Sequence, residues 1–209
     1  VNLGLAYAHL GEIRKAIEYH EQALKISREV GERRNEGAEL DSLGQAYAAL
    51  GETRKAIDYY ENAIVIAREI GDKKNEGEEL CNLGKAHLDL NETEKAVEYC
   101  MQSLVIVRKI EYLKFEGEAL SVLGKAYSNL GQLDKTLDHC DQALKIFKKM
   151  EYRRGEGEAL FTKSQALDKL GQRKDAVSLA NEALQIFQQI ESPLAEKVRQ
   201  KLAEWAVEN

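Results

Sequence analysis

The feature that most constrains this chain is its period. Gly4, Gly44, Gly84 and Gly124 recur every 40 residues, and Ser164 holds the fifth place. Gly11, Gly51, Gly131 and Gly171 repeat in the same register with Asn91 substituting, as do Ala16, Ala56, Ala96 and Ala176 with Thr136 substituting. Gly37, Gly77, Gly117 and Gly157 form a further series. A unit this short cannot bury an apolar face by itself and must stack on its neighbours. The 209 residues therefore read as one continuous array rather than two ordinary domains.

Within each unit the pattern is helical. Between Ile13 and Val30, Ala16, Ile17, His20, Ala23, Leu24, Ile26 and Ser27 fall at three- and four-residue steps, one buried stripe, while Glu21 and Lys25 are spaced to meet on a solvated face. The second unit predicts helices over about 34–50 and 53–70, and the later units repeat them. Gly44 falls inside a helix, where glycine costs about 1 kcal/mol relative to alanine. Its recurrence implies close approach of the neighbouring helix, with Ala56 and Ala63 small for the same reason and Tyr47 and Tyr60 filling the space they leave. Gly11 and Gly51 permit the left-handed turn that ends a helix, and Asn91 tolerates it. Glu111, Glu151 and Glu191 stand where Gly31 and Gly71 stood, which predicts less sharply stopped junctions there. Ser192 and Pro193 start a last helix with Leu194, Val198, Leu202 and Trp205 on one face.

Charged residues make up 32% of the chain and there is a single proline, which suits long uninterrupted helices. A net charge of −6 argues against a general nucleic-acid or anionic-membrane surface, since both need clustered Lys and Arg. No apolar run is long enough to span a bilayer and no signal-peptide pattern is present. Cys81, Cys100 and Cys140 are an odd, sparse set that fits a reducing compartment, so a cytoplasmic setting is expected. Val1 lies inside an already periodic segment, and the chain reads as a piece of something longer.

Leu43, Gly44, Tyr47, Gly51, Ala56, Tyr60 and Ala63 together resemble the tetratricopeptide repeat. The unit here is 40 residues where the family's is about 34, and Arg68 stands in place of the proline that ends the family's second helix. The longer unit is similar to the repeats of the Leu-Gly-Asn and Pins adaptors and to those fused to bacterial and archaeal signal-transduction ATPases. Segments such as GDKKNEGEEL and EYRRGEGEAL look most like the latter. The resemblance implies an all-α fold, a right-handed superhelical solenoid of antiparallel helix pairs. Five units would fill residues 1–191, the first truncated at its N-terminus, with a C-terminal capping helix in 192–209.

It also implies a function: the first helices line a concave groove that holds a protein or peptide segment, as in the sensor or adaptor part of a larger signalling protein. Carried over by register, the groove positions are Leu5 and His9; Asp41 and Gln45; Asn82, Lys85, Leu88 and Asp89. They continue with Ser121, Val122, Lys125 and Asn129, then Phe161, Gln165 and Lys169, with Cys81, Thr162 and Asp168 in the same stripe. Lys85 and Lys125 are read either as partners for a ligand carboxylate or as members of internal pairs with Asp89, Glu78 or Glu118. Where the spindle adaptors place a ligand-holding asparagine, this chain has Leu5, Gln45, Lys85, Lys125 and Gln165. Arg34, Lys74, Lys114 and Arg154, each followed by a glutamate two residues on, read first as charges balancing helix starts and only second as a groove rim. Cys100, Cys140, His87 and His139 lack zinc-ligand spacing, and no phosphate loop, nucleophile elbow or acid–base pair is present. No enzyme activity, cofactor or metal is expected. The alternative function is structural, a self-associating spacer module.

Overall fold

In the computed structural model, residues 3–207 are described. Among them the chain forms α1 (Leu3–His9), α2 (Ile13–Val30), α3 (Arg33–Ala49), α4 (Thr53–Glu69), α5 (Lys73–Asp89) and α6 (Thr93–Lys109), all in a first compact unit, Val1–Glu111. A second unit, Tyr112–Asn209, holds α7 (Leu113–Asn129), α8 (Leu133–Lys149), α9 (Arg153–Lys169), α10 (Arg173–Gln189) and α11 (Leu194–Val207). No strand occurs among the described residues. The expected fold class is the observed one: consecutive helices pack as hairpins, and each hairpin packs on the next within its unit.

Each core lies between successive hairpins. In the first unit Ile17 and Leu24 of α2 meet Leu40, Leu43 and Ala46 of α3 and Ala63 and Ile66 of α4. One step on, Ala56, Ile57, Tyr60 and Ile64 of α4 meet Leu80, Leu83 and Ala86 of α5. This is the packing that the period demanded, since no hairpin closes its own apolar face. The close approach inferred at Gly44 is present: a Cβ there would lie 2.6 Å from Cδ1 of the buried Tyr60 ring. Tyr47, half-buried, packs against both of these cores and stacks on Tyr59 at 5.3 Å.

The expectation of looser junctions at Glu111, Glu151 and Glu191 is corrected. These residues take φ of 55°, 55° and 51°, the left-handed geometry of Gly31 and Gly71 at 75° and 71°, and α6, α8 and α10 stop in the same register as α4. The peptide N–H of Glu151 donates to Lys148 O at 3.2 Å and that of Tyr152 to Phe147 O at 2.9 Å, so the closing turn forms with a side chain in place of glycine.

Within the second unit α11 packs on α10, with Val198 and Trp205 buried and Leu194 and Leu202 half-buried. Its attachment is also polar. Trp205 Nε1 donates to Asp168 Oδ2 at 2.8 Å, and Arg173 Nε donates to Asp168 Oδ1 at 2.5 Å.

Candidate functional site

The residues placed on the first helices divide by burial. Leu5, Gln45, Asp89, Asn129 and Lys169 are exposed, and Asp41, Asn82, Lys85, Leu88, Lys125 and Gln165 are half-buried. Ser121, Val122 and Phe161 are not open surface: all three are buried, as are Cys81 and Thr162. Alternating faces of a helix cannot be separated cleanly from sequence where both sides meet neighbouring helices, and these positions lie on the packed side. The side chain of His9 lies outside the described residues, although its backbone is in α1.

Several of these residues are brought together within a unit. In the first, Gln45 Nε2 donates to Asp41 Oδ1 at 2.8 Å along α3, and Asp41 lines one recess with Glu79 of α5. In the second, Lys125 of α7 pairs with Glu158 of α9 at 2.6 Å, and Lys169 of α9 donates to Ser128 O of α7 at 3.3 Å. Lys125 is therefore held by the next repeat's glutamate. Burial alone would push Glu158 up, but the charge and hydrogen bond of Lys125, with help from Arg154, hold it below the usual carboxylate range. Asp168 is committed to Trp205 and Arg173, so it anchors α11.

The repeated charges between hairpins form buried clamps. Glu36 accepts from Arg28 Nε of the preceding helix at 2.9 Å and from Arg33 of its own at 2.5 Å; Glu76 accepts from Arg68 at 2.8 Å and from Lys73 at 2.6 Å. Glu156 pairs with Arg153 at 2.5 Å. The helix-start reading thus holds, but the cations of these pairs, Arg33, Lys73 and Arg153, sit one residue before Arg34, Lys74 and Arg154. Burial raises Glu36 and Glu76; their two cationic donors outweigh it and leave both lowered. A depressed carboxylate contributes stability above its ordinary range and loses it as pH falls, so these clamps weaken only in acid.

Sequence reasoning missed one group. Glu79, on the buried side of α5, is 2% exposed and lines a recess of about 70 Å³ with Arg34, Ala38 and Asp41 of α3, Ile66 and Ala67 of α4, and Asn75 of α5. Its register was the available signal: the equivalent places hold Glu39, Ala119 and Ala159. Glu39 meets His20 at 2.6 Å, and the place of His20 is taken by Tyr60 opposite Glu79. Among the described residues no group of three or more His, Cys, Asp or Glu converges as metal ligands, and no helix is long and apolar enough to cross a membrane.

The sequence profile of the tetratricopeptide repeat matches residues 1–69, 38–109 and 115–189. No curated protein matches the chain. Among solved structures, BtubC (BKLC) from P. vanneervenii is similar with a TM-score of 0.76 at 18% identity, covering 90% of this chain and 78% of that one. The STAND protein with a tetratricopeptide repeat sensor, PH0952 from Pyrococcus horikoshii, gives 0.78 at 22% identity, covering 97% of this chain and 32% of its own. This chain thus corresponds to about a third of that protein. A Rap protein complexed with Competence and Sporulation Factor gives 0.69 at 18% identity, with coverages of 98% and 62%.

Proposed function

The chain belongs to the tetratricopeptide repeat family, whose arrays are generally protein-interaction scaffolds, and on that premise we propose that its first helices bind a protein or peptide segment. The array comprises residues 1–191, closed by the helix in 192–209, and works as the sensor or adaptor portion of a larger protein. One observation carries this reading. Packing positions largely recur from unit to unit, whereas the exposed first-helix register of Ala49, Asp89, Asn129 and Lys169 differs in every unit, and the neighbouring register of Gln45, Lys85, Lys125 and Gln165 holds two kinds of side chain. Uniform packing with individual surface positions is what an unsymmetrical ligand requires. The Rap protein complexed with a factor, on a similar fold, lends support by likeness of fold alone.

A peptide selected by display against the unmodified protein tests it. For a peptide held by the first unit, Gln45→Arg and Asp89→Arg, both exposed, are expected to weaken binding by about tenfold or more, about 1.4 kcal/mol. Lys145→Glu on α8, also exposed, should leave affinity within about twofold, a few tenths of a kcal/mol. Equal losses in all three, or none in the first two, would contradict the reading. Self-association has its own observation, the exposure of Val65 (61%) and Val105 (72%) on α4 and α6. Light scattering that reports a monomer at every concentration counts against it.

A further inference from the structure

A carboxylic acid that is almost wholly buried must either meet a cation or keep its proton. Glu36 and Glu76 take the first course, each with two cationic donors. Glu79 takes neither an arginine nor a lysine. It accepts at 3.5 Å from the Asn82 side-chain amide of its own helix, and across the recess that both line it meets the Asp41 carboxyl of α3. Two carboxyl groups can hydrogen-bond only when one of them carries a proton, because two carboxylates in contact repel.

We infer that Asp41 and Glu79 form a proton-operated latch between α3 and α5: one shared proton joins the helices, and its loss puts two negative charges in contact and loosens the first unit there. The surroundings favour this. On α3, Arg34 lines the same recess, and the carboxyls of Asp41 and, on its own helix, Glu78 act to raise Glu79. On α4 the facing titratable group is Tyr60, buried over Gly44 and raised by burial and by both carboxyls, so it remains a neutral phenol. On α6 the buried titratable group beside α5 is Cys100, whose thiol faces Cys81; that contact, and then burial, keep it protonated. Neither Tyr60 nor Cys100 supplies a positive charge to Glu79.

The direction follows from burial. Desolvation, then the Asp41 charge and hydrogen bond, push Glu79 well above the ordinary carboxylate range. A raised acid favours folding while both folded and unfolded forms are protonated. That advantage is lost as pH rises from the ordinary range through the folded value, where opening becomes up to about tenfold easier per pH unit for one proton. The clamps at Glu36 and Glu76 run the other way and weaken in acid.

The test is native-state hydrogen exchange of α3 and α5 amides in the full chain, expressed as protection factors between about pH 5 and 9, the interval in which a buried glutamate titrates. The unmodified protein should lose protection with pH by up to about tenfold per unit, and Glu79→Gln, which keeps the shape without the charge, should show a flatter profile. Identical slopes would overturn the latch. If Glu79→Gln fails to fold, Asp41→Asn removes the second charge, and with it part of what raises Glu79, so the loss of protection should end at a lower pH than in the unmodified protein; an unmoved profile would overturn the latch. A carbon-13 titration of the Glu79 carboxyl needs no variant: an ordinary carboxylate value, about 4.3, would also overturn the proposal.

Discussion

Opposite each glycine of the Gly4 series sits the side chain that explains it. Gly4 lies against the His20 ring, Gly44 against Tyr60, Gly84 against Cys100 Sγ and Gly124 against Cys140 Sγ. The fifth unit replaces glycine with Ser164, and there the facing place holds Ala180. The small and large members exchange across the contact, so the contact itself, rather than glycine as such, is what every unit keeps. Gly44→Ala should cost about 1–3 kcal/mol, because the new Cβ meets a buried aromatic ring that cannot swing into solvent. At this chain length that is a fall in Tm of roughly 2–4 °C per kcal/mol. A melt that is unchanged or raised would show that the ring yields freely. The contact was readable from sequence because a glycine that costs helix stability recurs. Glu79 was not, because an acid on a helix reads as solvated until the neighbouring hairpin is in place.

At the scale of helices, termination is governed by backbone geometry rather than by residue type. Glu111, Glu151 and Glu191 adopt the left-handed conformation that sequence reasoning reserved for glycine or asparagine. The closing hydrogen bonds and the next hairpin's packing together outweigh the Cβ penalty, about 1–2 kcal/mol per residue. Glu151→Gly, at an exposed place, relieves that penalty and adds some unfolded-state freedom. It should therefore raise stability by about 0.5–1 kcal/mol. Denaturant unfolding measures this, and a lower midpoint would contradict it. The clamps show the complementary limit of sequence. A cation and a glutamate at each junction were legible, but choosing Arg33 over Arg34 needs the helix azimuth, and one residue turns a side chain by about 100° around the axis.

For the molecule, the 40-residue period decided the architecture before any helix was located. Within a unit a hairpin buries its stripe against the next, and the cores at Leu40 and Leu80 are two instances of one contact. The candidate surface was less legible. Gln45, Asp89, Asn129 and Lys169 stand accessible as expected of recognition positions, whereas Ser121, Val122 and Phe161 are spent on packing and Asp168 on α11. Register identifies which positions differ between units. It does not say which of them a neighbouring helix covers, since that depends on the side chains of another repeat.

The claim that the first helices recognise a ligand is tested most directly by a hydrogen-exchange footprint of a display-selected peptide on the full chain. Binding should raise protection along the accessible first-helix positions of the unit that holds the peptide, α3 and α5 or α7 and α9, and leave α4, α6, α8 and α10 unchanged. Protection confined to α4, α6, α8 and α10, where Val65 and Val105 are exposed, would contradict the account.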